Sequence, residues 1–236
     1  MTIFVLLPGP WMGAWAWEPV ATRLRALGHQ ARPLTLPGLD RLCGDVSHIG
    51  LSSHVDHVLA VLVTADLCDV VLVSHSYSGI VAGQVADRAS DRVAHTVYVE
   101  AVLPRHGRSM LQAFPPDQQP DENALIADNH GCWPAPDADL LSEDTDLTPY
   151  QAQWLADRCV GHPGRTITEP AVLQRPLAEQ RATYVVCAKD HVDDQLTPDI
   201  AALRTAPTWT FHTIDTGHWP MFTAPDELAA LLDRIH

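Results

Sequence analysis

The sequence contains little positive charge. Of its 236 residues 29 are acidic and 15 are basic, Lys189 is the single lysine, and the formal net charge at pH 7 is −14. A surface that binds nucleic-acid phosphates or anionic lipid needs clustered basic residues, and no such cluster occurs along this chain. We therefore expect neither nucleic acid nor a membrane as a partner. The acidic excess is typical of a protein that is kept in solution by its charge.

Cysteine pairs and long apolar runs are also missing. The cysteines show neither a Cys-x-x-Cys pair nor the Cys/His spacing of a metal site; they are Cys43, Cys68, Cys132, Cys159 and Cys187. Scattered reduced thiols are typical of a cytoplasmic protein. No apolar run approaches the roughly 18 residues of a membrane span. The apolar start at residues 2–7 lacks the basic flank of a signal peptide and is broken by Pro8. We expect a cytoplasmic protein without a metal site.

Short apolar runs alternate with helical patterns through the first hundred residues. The run Val70-Val71-Leu72-Val73 is typical of a central strand that is covered on both faces. The patterns predict strands at 2–7, 31–34, 70–73 and 96–99, and helices at about 15–27, 51–65 and 76–88. Ser52 or Ser53 is placed to cap the second helix. This alternation predicts a mostly parallel sheet flanked by helices, which is an α/β fold.

The alternation stops after Pro104. The following segment, residues 105–177, is rich in proline and acidic residues and shows no strand pattern; we call it the insertion. Its aromatic residues Trp133 and Trp154 argue against a disordered linker, because disordered segments contain few aromatics. We expect helical pieces near 109–113 and 149–159, loops around 115–145, and a small cap over the carboxyl edge of the sheet. Strand and helix patterns return at 182–187, 198–205, 208–212 and 225–235, so the predicted core comprises 1–104 and 178–236.

A serine motif follows the buried run that ends at Val73. The segment Ser74-His75-Ser76-Tyr77-Ser78 has the pattern small-x-Ser-x-small and leads directly into a predicted helix. This pattern is typical of the nucleophile elbow, a sharp turn that exposes a serine hydroxyl above a sheet. Ser74 and Ser78 stand where glycine is usual, so the motif is less specific. An ordinary serine at a strand–helix junction is the alternative.

An acid and a histidine follow in the order that this chemistry requires. Asp190 comes just after a predicted strand, and His218 lies in the loop after the last one. His218 would take the proton of Ser76 as general base, while Asp190 would hold the imidazole in the required tautomer. Asp193 and Asp194 are alternative acids for the same role.

The opening of the chain resembles a known family. Residues 4–17, Phe-Val-Leu-Leu-Pro-Gly-Pro-Trp-Met-Gly-Ala-Trp-Ala-Trp, resemble the start of the hydroxynitrile lyase and methylesterase-like branch of the α/β hydrolases. That branch opens with an apolar strand followed by His-Gly-Ala-Trp-His-Gly-Ala-Trp or a close variant. Further similar stretches lie at 34–38, 101–104, 184–187 and 217–218. The resemblance implies the α/β-hydrolase fold with a small cap and an enzyme that uses no cofactor, with Ser76, Asp190 and His218 as its triad.

One departure from the family pattern bears on mechanism. The family's oxyanion hole uses the backbone N–H of the residue after the nucleophile, here Tyr77, and that of the residue that aligns with Pro10. Proline has no N–H, and the loss of one oxyanion donor costs about 10²–10³ in turnover. Either the Trp11 N–H or a side chain substitutes, or Ser76 and His218 serve for proton transfer in a reaction that forms no acyl oxyanion.

Aromatic residues in the predicted loops favour an apolar substrate. Trp11, Tyr77, Trp133 and Trp219 lie near the predicted position of Ser76, as expected of a pocket for a small apolar or aromatic molecule. We favour a serine hydrolase of small carboxylic esters. The alternatives are a non-hydrolytic enzyme of natural-product tailoring (a lyase, dehydratase, acyl-transfer or cyclising enzyme) and a catalytically weak ligand-binding protein. The oligomeric state is open, with a homodimer among the alternatives.

Overall fold

A six-stranded parallel sheet forms the centre of the structure. The computed structural model describes residues 1–40, 45–143, 146–191 and 196–235. Its strands are, in chain order, β1 (Ile3–Leu7), β2 (Gln30–Pro33), β3 (Val70–His75), β4 (Val93–Val99), β5 (Cys132–Trp133), β6 (His162–Pro163), β7 (Ala182–Cys187) and β8 (Trp209–Ile214). Six of them pair in the order β2-β1-β3-β4-β7-β8, each pair parallel, and β5 pairs with β6 in a separate antiparallel ladder. The predicted parallel sheet is confirmed.

Helices cover both faces of this sheet. They are, in chain order, α1 (Glu18–Ala26), α2 (Leu51–Thr64), α3 (Ser78–Arg88), α4 (Gln119–Asp128), α5 (Ala138–Leu141), α6 (Pro149–Ala156), α7 (Arg165–Thr168), α8 (Pro198–Leu203), α9 (Pro220–Thr223) and α10 (Pro225–Asp233). Helices α2 and α3 pack together on one face, and α1 and α10 pack together on the other. Within the described ranges, no helix is long and apolar enough to cross a bilayer.

The central strand β3 shows why its sequence is continuously apolar. Val70 and Leu72 pack into the core on the side of α2 and α3, whereas Val71 and Val73 pack into the core on the side of α1 and α10. Successive side chains of a strand point to opposite faces, so a strand that is covered on both faces needs apolar residues throughout. The parallel arrangement also brings the carboxyl ends of β3, β4, β7 and β8 to one edge of the sheet.

Two helix starts differ from the sequence predictions. Gly50, and neither Ser52 nor Ser53, is the residue that precedes α2, and the Ser53 hydroxyl accepts the Gly50 N–H at 3.1 Å from within the first turn. The residue that precedes the helix therefore lies two or three positions before the predicted serines, but Ser53 does take part in capping the helix start. The helix predicted to start at Ser76 starts at Ser78, because Ser76 has a φ of 51°, which no α-helical residue adopts.

The insertion contains more regular structure than its sequence predicts. The loops expected around 115–145 are in part the ten-residue helix α4, and the strand β5 pairs with β6 although no strand pattern is visible. Helix α4 buries only Ile126, so its sequence lacks the apolar periodicity of an amphipathic helix. Because β5 and β6 are two residues each, they are too short to show alternation.

Candidate active site

Ser76 occupies a sharp turn between β3 and α3. Its φ of 51° lies in the left-handed region, which costs a non-glycine residue about 1–2 kcal/mol. Backbone hydrogen bonds hold this conformation: the Ser76 N–H donates to Val99 O at 3.3 Å, and the Ser76 carbonyl accepts from Val102 N–H at 3.0 Å and Gly79 N–H at 3.1 Å. The serine is 8% exposed. The turn therefore has the conformation that the motif predicts.

The serine residues that replace the usual glycines make hydrogen bonds of their own. The Ser78 hydroxyl accepts the His75 N–H at 3.0 Å, and its single proton is shared between Leu7 O and His75 O, both at 2.9 Å. The Ser74 hydroxyl donates to Val97 O at 3.1 Å. Ser78 thus joins the elbow to the end of β1, a function that glycine has no atoms to perform.

The structure brings the predicted acid and base together. Asp190 ends a short 3-10 turn directly after β7, and His218 lies in the loop after β8. The His218 Nδ1–H donates to Asp190 Oδ2 at 3.1 Å, which leaves His218 Nε2 as the ring nitrogen that can accept a proton. The alternative acids Asp193 and Asp194 lie outside the described residues.

His75 links the His218 loop to the nucleophile elbow. The His75 Nε2–H donates to the His218 carbonyl oxygen at 2.7 Å, and the two ring centroids are 4.8 Å apart. Burial lowers the pKa of His75 well below its ordinary value, so this ring is neutral. Ser76 and His218 are thereby placed at the same sheet edge. Among the described residues, no hydrogen bond joins Ser76 Oγ to the His218 ring, a contact that often forms only when substrate binds.

The Tyr77 side chain belongs to the core. Its hydroxyl donates to Nδ1 of buried His54 at 2.9 Å, and His54 Nε2–H donates to Pro37 O at 2.9 Å. Burial raises the pKa of Tyr77 and lowers that of His54 to about 4. Tyr77 is therefore available to the site through its backbone N–H and not as an aromatic wall.

Trp11, next to Pro10, is held by the insertion. It has a φ of 64°, its N–H donates to His162 Nδ1 at 3.3 Å, and its carbonyl accepts from Val160 N–H at 2.9 Å. Its ring lies 4.3 Å, between centroids, from that of Trp133. The backbone donor that the sequence offered as a substitute for Pro10 is thus engaged by a histidine side chain in this structure.

The other tryptophans divide between site and core. Trp219 is 6% exposed, and its ring centroid lies 5.2 Å from that of His218. Trp133 is 8% exposed and donates its indole N–H to Glu122. Trp17 is fully buried, and Trp15 packs on Trp154. Trp11, Trp133 and Trp219 therefore remain the aromatic candidates for contact with a substrate.

Glu100 is a residue of this region that the sequence reasoning missed. It follows β4 with a φ of 41°, and its side chain is 9% exposed. One carboxylate oxygen accepts the Cys187 N–H at 2.7 Å, and the other accepts from His191 Nε2 at 2.8 Å. Burial raises the pKa of Glu100, and these two donors oppose that rise. Its place at a strand end, like that of Asp190, was the available signal.

A parallel α/β sheet carries a serine on a left-handed strand–helix turn and a hydrogen-bonded His–Asp pair at the same edge, the arrangement expected of an esterase-like enzyme. Within the described ranges, no group of three or more His, Cys, Asp or Glu side chains could hold a metal ion. The chain belongs to the alpha/beta hydrolase family, whose model matches residues 4–231.

Two curated relatives match nearly the whole chain. The carbendazim hydrolyzing esterase of Nocardioides sp. is 30% identical over 245 residues, which cover 100% of both chains. Methylesterase 2 of Arabidopsis thaliana is 33% identical over 254 residues, which cover 98% of this chain and 96% of the relative. The methylesterase-like resemblance is thereby confirmed.

A solved structure has the same fold. An extracellular alpha/beta-hydrolase from a Paenibacillus species, described as a homologue of tobacco salicylic acid binding protein 2, superposes with a TM-score of 0.87 at 22% identity. The match covers 100% of this chain and 99% of that chain.

Proposed function

We propose that the protein is a cofactor-independent serine esterase that hydrolyses small apolar or aromatic carboxylic esters. The observation that carries this proposal is the left-handed turn at Ser76 beside the His218–Asp190 hydrogen bond. The esterase relatives support it, since one is named for carbendazim hydrolysis and others are methylesterases.

Each step of ester hydrolysis can be assigned to a group at this edge. Ser76 Oγ attacks the ester carbonyl carbon while His218 Nε2 takes the hydroxyl proton, and Asp190 stabilises the resulting imidazolium through its Nδ1–H. The Tyr77 N–H donates to the oxyanion. The alcohol leaves with the proton from His218, and a water activated by the same ring releases the carboxylic acid from Ser76.

The substrate class follows from the surfaces beside the elbow. Trp219 borders the His218 ring, and Trp11 packs on Trp133 of the insertion. Flat apolar surfaces of this kind suit an aromatic or alkyl ester. In this proposal the insertion acts as a small cap, because it supplies Trp133 and holds the loop that contains Trp11.

A non-hydrolytic reaction is the second candidate, and the Pro10–Trp11 loop favours it. Pro10 has no N–H, and the Trp11 N–H is engaged by His162. Acyl transfer needs donors that stabilise an oxyanion, whereas an elimination or rearrangement that forms no acyl oxyanion does not. Fewer oxyanion donors therefore favour proton transfer by Ser76 and His218 in such a reaction. The natural-product tailoring role belongs to this candidate.

A cytoplasmic location is part of the proposal. The described cysteines Cys68, Cys159 and Cys187 are free thiols, and Cys43 lies outside the described residues. Free thiols of this number are typical of a reducing compartment.

Labelling with a fluorophosphonate, read by intact mass, tests the function directly. We expect one adduct on the native protein together with turnover of p-nitrophenyl esters, and neither in Ser76→Ala. Ser52→Ala, on the exposed side of α2, is the matched control and should label like the native protein. A folded native protein that forms no adduct and turns over no ester would refute the esterase and favour the second candidate.

A further inference from the structure

We propose that Glu100 is a positioning residue that holds the turn carrying Asp190, and so sets the place of the carboxylate that orients His218. This inference rests on the proposed function, because it gives Glu100 a role only through Asp190. It concerns a side chain that the hydrolytic steps above do not use.

The two hydrogen bonds of Glu100 enclose the acid turn. The 3-10 turn Ala188–Asp190 begins after Cys187 and ends before His191. Glu100 Oε2 accepts the Cys187 N–H at 2.7 Å, and Glu100 Oε1 accepts from His191 Nε2 at 2.8 Å. One carboxylate therefore binds the residues on both sides of the turn. A substitution at Glu100 would remove contacts at both ends of the turn.

The Glu100 backbone is tied to the strands on either side of it. Its N–H donates to Val185 O at 2.9 Å, and the preceding residue, Val99, accepts the Ser76 N–H at 3.3 Å. Its φ of 41° is uncommon for a residue other than glycine. The short path from Ser76 through Val99 and Glu100 to Cys187 thus connects the nucleophile elbow with the acid turn by backbone and carboxylate contacts alone.

A direct role of Glu100 on His218 fits the geometry less well. Burial raises the pKa of Glu100 and nearby His218 opposes that rise, yet the His218 Nδ1–H is bonded to Asp190 Oδ2. Both Glu100 oxygens already accept hydrogen bonds from other groups. Within the described chain no hydrogen bond joins Glu100 to His218. The carboxylate that contacts the imidazole is Asp190, and Glu100 acts indirectly by holding the turn that carries Asp190.

A double-mutant cycle separates these two roles. Glu100→Gln keeps the shape of the side chain but replaces one acceptor oxygen with an NH₂ group, which cannot accept from Cys187 or His191. We expect this variant to lower kcat for a p-nitrophenyl ester about tenfold with KM within about twofold. In the Asp190→Asn background we expect no further loss, because the group that Glu100 positions is already removed. An equal loss in both backgrounds, or a loss confined to KM, would overturn the proposal.

Asp87 supplies a matched control. It is another buried carboxylate that accepts a backbone N–H, from Gln174 at 2.5 Å, and an Arg175 N–H at 3.1 Å, but it lies on α3 away from the acid turn. Asp87→Asn should lower the Tm and leave kcat unchanged. If Asp87→Asn lowers kcat as much as Glu100→Gln, the effect of Glu100 is general destabilisation and the proposal fails.

A spectroscopic readout keeps this test independent of turnover. The His218 Nδ1–H bonded to Asp190 should give a downfield proton resonance in the native protein, assigned by its loss in Asp190→Asn. Glu100→Gln should shift or broaden it, and Asp87→Asn should not. An unchanged resonance in Glu100→Gln would overturn the positioning role even if the enzyme proves not to be an esterase. Absence of ester turnover with a shifted resonance would refute only the proposed function.

Discussion

The Trp11 N–H donates to Nδ1 of buried His162, which lies 151 positions later in the chain. This bond engages the N–H of the residue directly after Pro10, which is the backbone donor that the sequence offers as a substitute. The family pattern predicts two backbone donors to the oxyanion, at Tyr77 and at the position of Pro10. Because Pro10 has no N–H, the Tyr77 N–H is the one of this pair that this chain retains.

Replacing Pro10 by alanine should raise esterase activity. The change restores an N–H at the position that aligns with the family's second oxyanion donor, and such a donor contributes about 10²–10³ in kcat. We expect a gain of at least about tenfold in kcat for p-nitrophenyl acetate. This is less than the full value because the loop is not adjusted to direct the new N–H at the oxyanion. Pro8→Ala, on the other side of Gly9, is the control and should give little gain. No gain in Pro10→Ala would mean that another group serves as donor.

Replacing Ser78 by glycine, the residue usual in this motif, should destabilise the protein. Glycine lacks the hydroxyl that bonds His75 N–H and Leu7 O. Each buried hydrogen bond contributes about 0.5–1.5 kcal/mol, so we expect a loss of about 1–3 kcal/mol in the unfolding free energy measured in urea. Ser74→Gly, which loses the single bond to Val97 O, should cost less. A reversed order of the two losses would contradict this account of the elbow.

Gly79→Ala should also destabilise the elbow, for a steric reason. A Cβ at Gly79 would lie 2.5 Å from Val102 O and 2.8 Å from the Ala101 Cβ. Overpacking against fixed backbone costs about 1–3 kcal/mol. Gly107→Ala is the comparison, because its φ is 75° but nothing lies within 4 Å of the added atom. Gly79 is helical, so its cost is steric, whereas the cost at Gly107 comes from its positive φ; if urea unfolding shows no loss in Gly79→Ala, the Val102 contact is relieved without cost and this account fails.

Acid should unfold the protein through its buried histidines. Burial lowers the pKa of His54 from 6.5 to about 4, and it lowers the pKa of His75 and His162 well below 6.5. Below pH 6.5 the unfolded chain binds protons that the folded chain excludes. The contribution of these histidines to the free energy of unfolding is therefore fully present above pH 6.5. It falls as the pH drops below 6.5, by about 1.4 kcal/mol per pH unit for each histidine.

Urea unfolding at pH 7.5, 6 and 5 measures this slope. His54→Gln, which carries no titratable group, should be less stable at pH 7.5 because it loses the contacts to Tyr77 and Pro37. Between pH 6.5 and 4 the unfolding free energy of His54→Gln should fall less steeply than that of the native protein, because one fewer proton is taken up on unfolding. An unchanged slope would show that His54 does not titrate with unfolding.

The sheet and the order of the site residues were predictable because their causes are local. The apolar runs of β3 and β7 exist because both faces of the sheet are covered. Ser76, Asp190 and His218 each follow a strand, and parallel strands bring their carboxyl ends to one edge. The triad roles themselves stay predictions until Ser76 is tested.

What the sequence missed depends on contacts between distant residues. Glu100 is an ordinary carboxylate in the chain until the turn 188–190 is placed beside it. His162 gives no sign in the sequence that its ring accepts the Trp11 N–H. Helix α4 was not predicted because it buries only Ile126, so its sequence shows no helical period of apolar residues. Local patterns predict elements, and only packing identifies these partners.

The contacts between Trp11 and the insertion have a consequence for how new specificities can arise on this scaffold. Val160, His162 and Trp133 all contact Trp11, so the insertion that contains these three residues also holds the loop beside Ser76. An insertion without residues equivalent to these three would leave Trp11 without these partners. A variant that exchanges the insertion should therefore exchange the loop after β1 with it.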